Sequence, residues 1–112
     1  MSVGNMTTTT VYPYFFQYQV RPNERNDGSD TLAGAIATVM VFAETDELAR
    51  ARAARHVGRN NWQIVEVKRE MHILRHHVEN MDGVLKSVYQ QAEQAGIAAV
   101  FDGWKKPAAG RR

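Results

Sequence analysis

Residues 35–43, AIATVMVFA, constrain this chain more than any other stretch, because they are apolar at nearly every position. Read with a period of two, Ile36, Thr38, Met40 and Phe42 point one way, and Ala35, Ala37, Val39 and Val41 the other. A strand of that kind is covered on both faces, so it belongs inside a sheet. The chain has 112 residues, 44% apolar and 23% charged. Those values suit one ordinary domain and exclude a disordered or fibrous chain.

The neighbouring patterns supply the other elements. Over residues 11–20, Tyr12, Tyr14, Phe16, Tyr18 and Val20 share one face, while Gln17 and Gln19 take the other. This is an aromatic-rich strand. Pro13 lacks a donor, which suits an edge strand or a strand's beginning. RPNERNDGSD follows and reads as a long, mobile loop. Thr45 offers a helix N-cap, with Asp46 and Glu47 against the positive helix end. That helix runs to about Arg59, where Gly58 and Asn60–Asn61 stop it, and Ala51, Ala54, Val57 and Gly58 form its small-residue face. Residues 62–73 read as a more polar strand near an edge. In residues 81–95, Met81, Val84, Leu85, Val88, Tyr89, Ala92 and Ala95 form one helical stripe, and Gly96 suits the position just after it. Residues 97–104 make a fourth strand, apolar on both faces. Residues 1–10 read as a flexible arm, 11–104 as the single domain and 105–112 as a basic flexible tail.

The order strand–strand–helix–strand–helix–strand predicts an α+β fold. The expectation is a two-layer sandwich, a four-stranded mixed sheet with two helices on one face, ferredoxin-like in build. Two helices on one face leave the other bare. Tyr12, Tyr14, Phe16, Tyr18, Met40, Phe42 and Phe101 are the residues expected to fill the core or to face a partner. An exposed sheet with such residues exceeds the apolar patch a monomer normally shows. Covering about 600 Å² on each copy at about 25 cal/mol per Å² outweighs the cost of association. A homodimer packed sheet to sheet is the expected state, and fold-back of the loop and termini is the alternative.

Charge and motifs narrow the functions. Lys and Arg number 14 against 12 Asp and Glu. Lys105, Lys106, Arg111 and Arg112 lie in the last eight residues; removing these four leaves ten cations against 12 carboxylates, so the body is mildly acidic. Arg52, Arg55 and Arg59 form a stripe on the first helix, suited to phosphates or carboxylates. With Lys105 and Lys106 they are the candidate nucleic-acid contacts. The chain has no cysteine, which excludes disulfides, thiolate metal ligands and thiol catalysis. His72, His76 and His77 cluster without the H-E-x-x-H pattern, so no metal site or cofactor is assigned. Glu66 and Glu70 could share a strand face, as in paired-carboxylate chemistry. The three serines lie outside any G-x-S-x-G elbow, and no phosphate-cradling glycine loop is present. The aromatic strand lacks the glycine–aromatic signature of RNA-binding sheets. No run approaches the ~20 apolar residues of a membrane span, and the first ten residues are not a secretory leader, so a cytoplasmic protein is expected.

Residues 35–43, the segment Trp62-Gln63-Ile64-Val65-Glu66-Val67, the closing Val100-Phe101-Asp102-Gly103-Trp104 and the first strand from Phe16 to Pro22 resemble a small bacterial α+β domain family of unknown function. The likeness covers about residues 12–105. It implies a compact module with no established activity and supplies no catalytic residue. The arginines of the first helix depart from that family's acidic helix. The expected function is a non-enzymatic protein-interaction module, homodimeric, with a nucleic-acid-binding or nucleic-acid-machinery-inhibiting protein as the alternative.

Overall fold

Tyr12–Pro22 (β1) and Leu32–Ala43 (β2) form an antiparallel hairpin with Phe16 opposite Val39 and Val20 opposite Ala35. Trp62–His72 (β3) pairs with the free side of β1, and Ile97–Lys105 (β4) with the free side of β2. The result is a four-stranded sheet in the order β3-β1-β2-β4, antiparallel throughout rather than mixed. These relations come from a computed structural model that describes residues 10–107; residues 1–9 of the expected arm and 108–112 of the expected tail lie outside the described residues. β1 is therefore interior, and Pro13 is tolerated because it is the second residue of the strand, not because the strand is an edge.

Asp46–Arg59 (α1) joins β2 to β3, and two helices, Arg75–Glu79 (α2) and Gly83–Ala95 (α3), join β3 to β4. The α+β class with a four-stranded sheet holds, but the helices do not share a face. Alternate residues of a strand point to opposite faces, and the two buried clusters divide along that alternation. Phe16, Tyr18, Val20, Ala35, Ala37, Val39 and Val41 pack with Ala49, Ala53 and Val57 of α1. Met40, with Phe15 and Phe42 beside it, packs with Ile73, Ala98 and with Val88 and Ala92 of α3. The β2–α1–β3 connection joins parallel strands. β3 and β4, by contrast, lie on opposite edges and run antiparallel, so the handedness rule for crossovers does not bind the second connection to the face of α1. The second helical segment covers the face that α1 leaves bare. That arrangement, with β3-β1-β2-β4, also departs from the ferredoxin-like order.

Local chemistry sets the element ends. Thr45 caps α1 by accepting the Leu48 N–H on Oγ1 at 3.1 Å. Gly96 ends α3 at φ 89°, a left-handed conformation that favours glycine. The short α2 has no helical periodicity to announce it; its entry is held by the Leu74 N–H donating to His77 Nδ1 at 2.9 Å. The β1–β2 loop is braced by hydrogen bonds to other elements. Its Asn26 Nδ2 donates to the Asn61 carbonyl at 3.0 Å, the Asn23 N–H to the same carbonyl at 3.1 Å, and the Lys106 N–H to the Thr31 carbonyl at 2.7 Å.

Close approach of α1 depends on alanine. Ala49 and Ala53 are fully buried against the alanines of β2, whereas Ala51, Ala54 and Gly58, expected to face the sheet, are exposed. Trp62 and Phe101, from the two edge strands, stack at 5.3 Å on this same face. Their meeting is possible because Ala35 and Ala37 leave space between them. Ala53→Leu should therefore cost about 1–3 kcal/mol by overpacking, while Ala54→Leu should stay within about 0.5 kcal/mol. Urea titration of both variants checks the assignment, and the reverse ranking would contradict it.

Candidate functional site

The residues singled out in the sequence are dispersed by the fold. Phe16 and Tyr18 are buried beneath α1, and Tyr14 and Phe101 pack at the margin of the same cluster. Met40 and Phe42 belong to the opposite face, while Tyr12 is exposed at the start of β1. The set is core divided between two faces rather than one bare surface. Phe16 and Tyr18 have no free ring face on which a base could stack.

The arginine stripe stays together beside one cleft, although Arg52 also has local partners. Arg52 donates from Nη1 to the Phe42 carbonyl at 3.3 Å and lies 3.7 Å from Glu44, clamping the β2–α1 connection. Arg52, Arg55, His56 and Arg59 all line a small cleft of about 240 Å³ with the end of α3 and the start of β4. Burial, and secondarily the Arg59 charge, lowers the His56 pKa from its ordinary 6.5. Above that ordinary range the His56 contribution to stability is complete. It declines as pH falls below it, because the unfolded chain takes up the proton first. Lys105 pairs with Leu32 at the end of β4. Lys106 enters a different and larger cleft, of about 670 Å³, shared with Arg21 and Arg25. Sequence reading missed Arg21 and Arg25, since a β1 end, a loop and the residue after β4 meet only in three dimensions.

The histidine and carboxylate groupings also separate. His72 stacks on Tyr14 at 5.0 Å on the α1 face, whereas His76 and His77 stand together on α2 with ring centres 4.1 Å apart. Among the described residues no group of three or more His, Cys, Asp or Glu could hold a metal ion. Glu70 lies opposite Phe16 and Glu66 opposite Gln19, so an irregularity in β3 sends the two carboxylates to opposite faces. Glu70 instead pairs with Arg50 at 3.3 Å.

Behind that pair lies Tyr18, whose hydroxyl is buried and has no hydrogen-bond partner among the described residues. Burial, reinforced by Glu70, pushes its pKa from 10.0 up to about 12, against the opposing effect of Arg50. The unfolded chain then ionises first as pH rises above 10, and native stability falls between pH 10 and 12. Two pH units correspond to at most about 3 kcal/mol. Tyr18→Phe should flatten that alkaline loss and cost little at neutral pH, because it removes an unpaired buried hydroxyl. Denaturant titrations at pH 7, 10 and 11 check this; equal alkaline slopes in both proteins would contradict it.

The two sheet edges differ sharply. β3 carries two register irregularities, which leave Lys68 and Val65 unpaired with β1, and four charged residues over positions 66–70. Such features discourage pairing with another strand. β4 pairs with β2 without interruption from Ile97 to Trp104, and Asp102 is its one charge before Lys105. The Phe42 N–H donates to the Gly96 carbonyl at 2.9 Å. By the alternation of antiparallel pairs, the N–H and C=O groups of Ala99, Phe101 and Gly103 point outward. Beside this edge, on the α3 face, lie Val84, 62% exposed, with Leu85 and Trp104 also exposed. Val84, Leu85, Ile36 and Val100 line a shallow depression there of about 530 Å³.

No protein-family model, curated protein or solved structure matches this chain. The family resemblance thus rests on its own residues. Among the described residues no helix is long and apolar enough to cross a membrane.

Proposed function

We propose that this chain is a protein-interaction module that works as a homodimer, joined through β4. The observation that carries the reading is the contrast between the two edges: β3 is guarded by irregularities and charge, and β4 is not. A long, regular, weakly charged edge is a template for another strand. A second copy is the occupant the geometry favours. Two β4 strands related by a two-fold axis would pair antiparallel through Ala99, Phe101 and Gly103, and each edge would satisfy the other. The exposed Val84, Leu85 and Trp104 border the same strand, so the axis would bring apolar side chains together beside the backbone ladder. This replaces a sheet-to-sheet dimer, since both sheet faces already carry a helix.

Light scattering on purified protein should give about 25 kDa, twice the 12.7 kDa of one copy. Ala99→Pro removes an outward donor while leaving the bonds to β2 in place, and Val84→Glu charges the flanking patch. Both should give the single-copy mass with unchanged far-ultraviolet circular dichroism. A wild-type protein of single-copy mass at about 0.5 mM, or dimeric variants, would overturn the reading.

A further inference from the structure

The cleft at the far end of the β1–β2 hairpin gathers cations from three distant parts of the chain. Arg21 comes from the end of β1, Arg25 from the loop and Lys106 from the residue after β4. Two of the three are positioned by hydrogen bonds that leave further N–H groups free. Arg21 donates from Nε to Gln63 Oε1 at 3.2 Å, leaving both terminal nitrogens of its guanidinium. Lys106 Nζ donates to the Ser29 carbonyl at 3.0 Å, leaving two more protons. None of the three is in an ion pair with a carboxylate among the described residues, although Glu24 also lines the cleft.

The loop beneath them is closely hydrogen-bonded. Besides its bonds to Asn61 and Lys106, the loop closes on itself through the Ser29 N–H to the Asn26 carbonyl at 3.0 Å and the Gly28 N–H to Asn26 Oδ1 at 2.8 Å. Gly58, at the end of α1, forms part of the wall. The negative helix end is blunted there, since Asn60 and Asn61 donate to the carbonyls of His56, Val57 and Gly58. The volume of about 670 Å³ falls in the range of small-molecule sites, and the lining is polar rather than apolar.

We infer that this cleft binds a phosphate-bearing ligand, with Arg21 and Arg25 as the guanidinium contacts and Lys106 as the point charge. Guanidinium forks match phosphate oxygens two at a time, and an ammonium group adds attraction without demanding one geometry. The phosphate can come from a small phosphorylated molecule or from a nucleic-acid backbone, which present the same group.

The test is a set of amide nuclear magnetic resonance titrations of the full chain with inorganic phosphate, adenosine triphosphate and a short single-stranded DNA. Shifts should concentrate at residues 21–31, Asn61, Gln63 and Lys106. Arg25→Glu, an exposed substitution, should weaken binding at least tenfold with an unchanged melting temperature. Arg21→Gln should weaken it less. Saturable binding of the nucleotide assigns a small phosphorylated ligand. Binding of the strand alone, falling steeply with salt, assigns a polynucleotide backbone; either result upholds the site. Absence of shifts with all three probes, shifts centred on Arg55 and Arg59, or unchanged binding by Arg25→Glu would overturn it.

Discussion

The structure depends on the burial of one hairpin from both sides. β2 is hidden along nearly its whole length, with Ala35, Ala37, Val39, Met40, Val41 and Ala43 fully buried. At about 25 cal/mol per Å², leaving either side of such a strand in water would forgo a stabilisation comparable with a small domain's entire net stability. Each face must therefore acquire a cover. α1 supplies one through a close, alanine-lined contact. α3 supplies the other, but only over part of its length: Val88 and Ala92 are buried, while Val84 and Leu85 stand clear of the sheet.

That unequal cover fixes where the molecule can meet others. The α1 face is closed by Trp62 and Phe101 stacking inward from the two edges. The opposite face buries Met40 but keeps two depressions, one between Phe15 and Leu85 and one near Ile36. Trp104 explains a glycine: a Cβ on Gly34 would meet its ring at 2.7 Å, so the indole lies over bare backbone. Part of the apolar surface left over, from Val84, Leu85 and Trp104, lies beside β4, the edge with fewer charges; Val65 and Val67 of β3 are exposed as well. Next to Trp104, at the loop end of the hairpin, the hydrogen bonds of Asn23, Asn26 and Asn61 bring three separate cations to one cleft.

Much of the architecture was legible in the sequence, and the reasons are local. Period-two patterns located β1 and β2, apolar content located β3 and β4, the Thr45 cap and Gly96 located the ends of α1 and α3, and the polar content of β3 marked it as an edge. Relations between distant elements were not legible. The alternation of residues 35–43 demands two covers without saying which helix provides which. Packing between distant elements decides that, and it is a long-range property. α2 is too short for periodicity, and the β3 irregularities that separate Glu66 from Glu70 carry no residue signature. For the site, Lys106 was recognised as a candidate contact, but Arg21 and Arg25 were hidden within a segment whose composition reads as a loose loop. Arg52 read as a free cation because its partners, the Phe42 carbonyl at the end of β2 and Glu44 in the β2–α1 connection, lie ahead of its helix.

The central claim is that β4 presents an unguarded edge which a second copy occupies. Hydrogen exchange at the outward amides of Ala99, Phe101 and Gly103 reads that edge directly. Protection that rises with protein concentration, while the β2-facing amides of Ala98 and Val100 stay slow throughout, is the expected result. Fast exchange at those three amides at every concentration would contradict it.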